Sequence, residues 1–225
     1  MMNKKSFFSL MVCISFTMLL KPLYAEPYNL GLLKKQIREY HDSGAYHDEI
    51  KHVLTHAEQF ITQRVRQNNK RVHPEKLAVV FDIDETVISN YEKLISQKDF
   101  GATRDEWHRE ILLARSPAIK PALALYHQLL KQHVAVFFIT GRPVRERDAT
   151  IKELKRAGFK HWNALFLKPS YDVNTSNAPY KRERRARITH AGYTIIASIG
   201  DQQSDLNGGY AERKFKLPNP FYYLP

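Results

Sequence analysis

The chain has 225 residues and a formal charge of +12, from 35 lysines and arginines against 23 acids. That length supplies one domain with a full core, and a single cysteine excludes a disulfide framework. A basic chain draws anions such as phosphate esters, nucleic acid or membrane surfaces. It carries no recognition-helix or zinc-finger pattern, which argues against a nucleic-acid polymer as partner.

Lys4 and Lys5 precede an apolar run from Ser6 to Leu20, followed by Lys-Pro-Leu-Tyr-Ala. This pattern predicts a secretory signal peptide over residues 1–25, cut after Ala25, because the run is too short for a membrane span. Cys13 lies inside it, after a valine rather than the small residue that lipoprotein processing needs. The expected mature chain, 26–225, therefore has no cysteine, no disulfide and no stable membrane anchor. Without Lys4, Lys5 and Lys21 its formal charge is +9. A thiol-free chain suits an oxidising compartment, so a periplasmic or secreted location is expected.

Residues 28–67 keep helical spacing in two parts, Leu32, Leu33, Ile37 and Tyr40, then Ile50, Val53, Leu54, Ala57, Phe60 and Ile61, with a break at His-Asp-Ser-Gly. His52 and His56 stand four apart but lack the glutamate of the zinc-protease motif, and are read as an exposed helix face. Leu77–Phe81 is a short apolar run suited to a strand buried on both faces. It leads into Asp82-Ile-Asp84-Glu-Thr86. Residues 88–120 have mixed helical and loop character and carry Tyr91, Phe100 and Trp107, which are candidates to stack on a substrate ring. A helix opens at Pro121, with proline in the tolerated first turn. Val134–Ile139 is a second strand, followed by Thr140-Gly141-Arg142-Pro143 and a helix from Pro143 to Ala157 that ends at Gly158. Asn163–Leu167 is a third strand, Pro169–Pro179 a loop, and Tyr180–His190 a very basic helix. Thr194–Ile199 is the fourth strand and runs into Gly200-Asp201-Gln-Gln-Ser-Asp205. Strands alternating with helices predict an α/β fold, a parallel sheet with helices on both faces.

The loaded stretches all follow the carboxyl end of a strand and would meet on one rim of the sheet, where open α/β sheets place ligands. Alternation along a strand sends Asp82 and Asp84 the same way. Two carboxylates so close repel unless a cation lies between them or one is protonated, which points to a hard metal such as Mg2+. Thr140 and Gly141 at a helix start would make a phosphate cradle. A lysine near a dianionic phosphate neutralises charge, and any of five basic residues in 181–187 qualifies on the residues alone. Asp201 and Asp205 bring two further acids to the same rim.

Asp82-x-Asp-x-Thr86 resembles the first motif of the haloacid dehalogenase (HAD) superfamily. The string Phe-Phe-Ile-Thr-Gly-Arg at 137–142, Tyr180-Lys181 with Arg185, and Gly200-Asp-x-x-x-Asp205 are similar to the later motifs of its subfamily IIIB acid phosphatases. Bacterial class B and C enzymes and plant vegetative storage proteins share that group. The likeness continues through Ser-Asn-Tyr at 89–91 to the closing Leu-Pro-Asn-Pro-Phe-Tyr-Tyr. It implies a HAD-type Rossmann-like fold, with 88–120 as a small, mostly helical cap insertion in one domain spanning 26–225. It also implies a phosphate monoester as small-molecule substrate. Asp82 would be the nucleophile and Asp84 the general acid and base. Mg2+ would be held by the Asp82 carboxylate, the Asp84 backbone carbonyl and Asp201, with Asp205 orienting a metal-bound water. Thr140, Gly141 and Lys181 would bind phosphate, and Tyr91 and Arg185 are candidate substrate contacts. A storage protein on the same fold and a phosphotransferase to alcohols are the alternatives.

Overall fold

The computed structural model describes residues 26–169 and 175–224; the expected signal peptide lies outside the described residues. Two helices open the chain, α1 (Leu30–Asp42) and α2 (Ala45–Asn68). Asn29 caps α1 through its side chain, and Gly44 makes the left-handed break between them at φ 91°. On α2, Tyr46, Ile50, Leu54, Ala57, Ile61 and Val65 are all buried. Their spacing of three or four residues places them on one stripe.

The sheet follows: β1 (Lys76–Phe81), β2 (Ala135–Pro143), β3 (Ala164–Lys168), β4 (Tyr193–Gly200) and β5 (Arg213–Lys216). All pairings are parallel, in the order β3-β2-β1-β4-β5. The central position of β1 explains its five consecutive buried residues, Leu77 to Phe81, since a strand flanked and covered on all sides has no solvated face. The connecting helices are α3 (Arg104–Leu113), α4 (Lys120–Lys131), α5 (Arg147–Arg156) and α6 (Asn177–His190). The larger core packs α2, α4 and α5 on one face through residues such as Leu54, Leu125, Phe138 and Leu154. The smaller one packs α6 on the other, joining Tyr180 and Ile188 to Ala78, Val80, Ile139 and Ile195. Helices therefore cover both faces, as the alternation of elements predicts.

Strand order reverses between β2 and β4 on either side of β1. That switch point leaves a crevice at the carboxyl ends of the strands. Between β1 and α4, a turn of π-helix at Tyr91–Ser96 and α3 stand over this crevice.

The basic helix expected from Tyr180 begins at Asn177, and two larger departures from the sequence reading stand out. The helix expected from Pro143 begins at Arg147, because β2 continues to Pro143 and a short 3-10 turn, Val144–Glu146, intervenes. Strand β5 was not foreseen. Its four residues, Arg-Lys-Phe-Lys, bury only Phe215, so no apolar run marks it. No helix among the described residues is long and apolar enough to cross a membrane.

Candidate active site

Asp82 follows β1 directly, and its backbone N–H donates to the Ile199 carbonyl at 3.0 Å, which ties the end of β1 to β4. Asp201 follows β4 in the same way. A 3-10 turn, Gln203–Asp205, then swings Asp205 back under the strand end, where Gln202 N–H donates to its Oδ2 at 2.8 Å. Gly200 makes the close approach feasible. A β-carbon there would lie 2.3 Å from Asp205 Oδ2 and 2.4 Å from its Cβ. As a result, Asp82, Asp201 and Asp205, all buried, each offer an oxygen within 4.8 Å of the others.

Lys181 reaches this cluster from the first turns of α6. Its Nζ donates to Asp82 Oδ1 and Asp205 Oδ1, both at 2.5 Å. Burial alone would favour the neutral amine, but the two carboxylates outweigh it and hold the lysine protonated. One lysine does not balance three acids. Burial pushes Asp82 well above the usual carboxylate range, the Lys181 charge opposes that, and Asp205 and Asp201 add to it. Asp201 is raised by burial and by Asp205. A buried, all-oxygen, carboxylate-rich set of this kind fits a hard divalent cation, whose charge would offset the repulsion.

Asp84 lines the same cavity, with its carboxylate held outside the triad. Arg142 donates to it from Nε at 3.0 Å and from its terminal nitrogen Nη2 at 2.7 Å, and Asn90 Nδ2 adds a bond at 2.8 Å. Burial would raise its proton affinity, yet the Arg142 charge and these bonds together hold it below the ordinary carboxylate value. Arg142 in turn donates to the fully buried Glu153 of α5 at 2.8 Å. Beneath them lies Glu85, completely buried at a positive φ of 51°. It accepts from Asn90 N–H and from the Tyr222 hydroxyl, and burial with the nearby Asp84 charge pushes it up to about 8. Asp201 accepts from Thr86 Oγ1 at 3.2 Å, Gln202 Nε2 at 2.8 Å and Asn219 Nδ2 at 2.7 Å.

These acids open onto a cavity of about 580 Å³, within the range of small-molecule sites. Asp82, Asp84, Gly141, Arg142, Lys181 and Asp201 line its polar end, while Ile95, Phe100, Trp107, Ile111, Phe221 and Tyr222 line its apolar wall. Residues of the 88–120 segment thus wall the site.

Four of the expected residues are placed differently from the sequence reading. Tyr91 is buried, stacks on His41 with ring centroids 3.3 Å apart, and packs on Phe221. It does not line the cavity, because its side of the π turn faces α1 and the chain end. Arg185 is also buried, and donates to the backbone carbonyls of Asp205, Asn207 and Gly209. It braces the loop that carries Asp205 and makes no cavity wall. Thr140 is fully buried, its Oγ1 accepting from Arg142 N–H at 3.1 Å. With α5 starting only at Arg147, Thr140 and Gly141 sit at a strand end, and Gly141 alone of the two lines the cavity.

The sequence reading missed the Arg142–Glu153 pair, the Glu85–Tyr222 bond and the pairing of His108 with Glu146. Arg142 stands inside a motif, but a buried glutamate on a charged helix looks like any solvated one. Only the fold sets the partners side by side.

The chain matches the family model of the HAD superfamily, subfamily IIIB (Acid phosphatase), over residues 7–225. It is similar to Acid phosphatase 1 of Solanum lycopersicum, 38% identical over 148 residues, which are 64% of this chain and 58% of the relative. It is also similar to the Stem 28 kDa glycoprotein of Glycine max, 40% identical over 161 residues, 68% of this chain and 62% of that one. The matches thus span about three-fifths of the length of these relatives. Its fold is that of the class C acid phosphatase from Bacillus anthracis, with a TM-score of 0.69 at 20% identity, covering 85% and 86% of the two chains. Family model, relatives and fold agree: the chain belongs to subfamily IIIB of the HAD superfamily.

Proposed function

We propose that this protein hydrolyses phosphate monoesters through an aspartyl-phosphate on Asp82, with residues 88–120 serving as the cap. The observation that carries this reading is the meeting of Asp82, Asp201, Asp205 and Lys181 at the switch point of the sheet, beside Asp84 and Arg142.

Lys181 and the strand-end geometry hold Asp82 in place, and the Lys181 charge opposes the rise that burial and the neighbouring acids impose on its carboxyl. Its carboxylate attacks phosphorus in line, forming a P–O bond as the bond to the leaving alcohol breaks. Asp84 donates a proton to the departing oxygen, then takes one from the water that attacks the aspartyl-phosphate, so that Asp82 is released with inorganic phosphate. Arg142 keeps Asp84 ionised in the free site, which prepares it as the base. A dianionic ester arriving beside it adds negative charge and raises its affinity for the proton that the first step needs. Gly141 and Lys181 take phosphate oxygens, and Thr140 supports that turn from beneath. Mg2+, held by Asp82, the Asp84 carbonyl and Asp201 with Asp205 behind, would offset the charge between nucleophile and ester.

Release of phosphate from p-nitrophenyl phosphate near pH 5.5 tests the reading. Activity is expected to need a divalent metal and to fall by about a thousandfold or more in Asp82→Asn. Activity that survives this change would mean another nucleophile.

The substrate class fits nucleoside monophosphates, because Phe100, Trp107 and Tyr222 wall the cavity with aromatic surface. A nucleotide should be hydrolysed more efficiently than an aliphatic phosphate, and equal efficiency would overturn this. The leader-like residues 1–25 and a stem glycoprotein among the relatives support a periplasmic or secreted location.

A further inference from the structure

The two ends of the 88–120 segment meet in the fold. Ile88 pairs with Ala118 in an antiparallel bridge, and Ser89 N–H donates to the Pro117 carbonyl at 2.9 Å. Asn90 at one end and Ser116 at the other are thereby brought together, and Ser116 Oγ donates to Asn90 Oδ1 at 2.9 Å. Asn90 is buried, and its Nδ2 donates to Asp84 Oδ1 at 2.8 Å. A carboxylate can only accept from an ionised neighbour of this kind, so the amide nitrogen faces Asp84 and the amide oxygen is left for Ser116.

Glu153 of α5 completes the circuit from the other side. It is fully buried, yet both of its carboxylate oxygens are used. Oε1 accepts from Ser116 N–H at 2.9 Å, and Oε2 from Arg142 Nη1 at 2.8 Å. Arg142 Nη1 also reaches Thr150 Oγ1 at 3.3 Å, while Nε and Nη2 hold Asp84. A guanidinium is planar and rigid, so a partner that fixes one edge fixes the edge offered to the other. Asp84, Arg142, Glu153, Ser116 and Asn90 thus form a closed ring of hydrogen bonds. A buried polar network whose members are all paired holds a single arrangement. Asp84 and Arg142 line the cavity and Glu153 does not, so Glu153 acts on the chemistry only through its partners. Proton transfer to a leaving group tolerates little displacement of the acid that makes it.

We propose that Glu153 is the positioning residue for Asp84, acting through Arg142 on one side and through Ser116 and Asn90 on the other, so that the ring aims the Asp84 carboxyl at the departing oxygen. The inference rests on the phosphatase reading and deepens it.

The test compares p-nitrophenyl phosphate with p-nitrobenzyl phosphate, two esters of similar shape. The phenol leaves readily as an anion, whereas the benzyl alcohol, like the hydroxyl of a nucleoside, needs a proton as it departs. The quantity read is kcat/KM, which covers the step in which the alcohol leaves. Asp84→Asn should lower it for the benzyl ester roughly a hundredfold more than for the phenyl ester, within the usual contribution of a general acid. Glu153→Gln should show an excess loss of roughly tenfold on the benzyl ester, because the acid is present but less well aimed. Ser116→Ala removes one hydroxyl from a half-buried residue and should show a smaller excess in the same direction. No phosphate release from either ester by the intact protein would overturn the phosphatase reading itself. Equal losses on both esters in Asp84→Asn would overturn Asp84 as the acid, and this inference with it. Equal losses, or none, in Glu153→Gln beside a selective loss in Asp84→Asn would overturn this inference alone and reduce the ring to a structural brace. Should Glu153→Gln fail to fold, Ser116→Ala decides by the same ratio.

Discussion

At the scale of single residues, Gly200 and Gly141 make a contrast that separates backbone necessity from tolerance. A methyl group at Gly200 would run into the Cβ and carboxylate of Asp205 at 2.3 to 2.5 Å, and Asp205 is pinned by Gln202 and Lys181. One at Gly141 would meet chiefly the amide of Asn177, 2.7 Å away at the end of a side chain. Gly200→Ala is therefore expected to destabilise the protein by about 1–3 kcal/mol, as overpacking does, and to displace an acid of the triad. Gly141→Ala should cost less, because the obstacle is one side-chain amide, whose oxygen Lys168 holds at 3.0 Å, rather than a pinned carboxylate together with its Cβ. Urea denaturation of the two variants checks the order, and equal costs would contradict it.

At the scale of elements, α3 is the part of the 88–120 segment whose anchoring depends on acidity. Thr103 and Glu106 form a capping box, with Glu106 N–H donating to Thr103 Oγ1 at 3.3 Å and Thr103 N–H donating to Glu106 Oε2 at 2.8 Å. Lys98 adds an ion pair at 2.8 Å. The Lys98 bond first, then those from Thr103, hold the Glu106 carboxyl down at about 2, against an ordinary 4.5. A depressed carboxylate contributes stability that is present above its unfolded value and is lost as pH falls through the folded one. Anchoring of α3 should thus hold above pH 4.5 and weaken toward pH 2. Amide exchange in 104–113 should rise over that window in the intact protein, and Glu106→Gln should flatten the response. An unchanged slope in the variant would place the titrating group elsewhere.

At the scale of the whole molecule, the site is a junction of segments distant in the chain. Tyr222 reaches Glu85 across 137 positions, and its ring meets Trp107 edge-on at 5.6 Å. The adjacent Phe221 packs on Tyr46 of α2 and on Tyr91. Phe221 and Tyr222 therefore line the cavity while tying α2 to the 88–120 segment. Since the acid cluster is assembled only in the folded state, an ion bound there should stabilise the whole fold. Mg2+ at a hundred times its dissociation constant should add about 2.7 kcal/mol, read as a rise in Tm. Asp201→Asn should abolish most of that rise, and a full rise in the variant would put the metal at another site.

Much of this was legible before folding. Five apolar residues ending in Asp82-x-Asp84 locate a central strand and its acids, and the alternation of elements gives a parallel sheet, because burial on both faces demands continuous apolar runs. Strand β5 escaped notice, since one buried phenylalanine among basic residues has no periodicity. The roles of Tyr91 and Arg185 were misjudged for a related reason. An aromatic ring or a guanidinium serves a core as readily as a ligand, and only packing chooses between them. By itself the sequence determined four of the five strands, the family motifs and the rim on which they meet, because these are local patterns of burial and chemistry. The tertiary structure alone decided which charges pair: Lys181 with Asp82 and Asp205, Arg142 between Asp84 and Glu153, and His108 with Glu146. Such pairings depend on distances between remote segments, and no spacing along the chain encodes them.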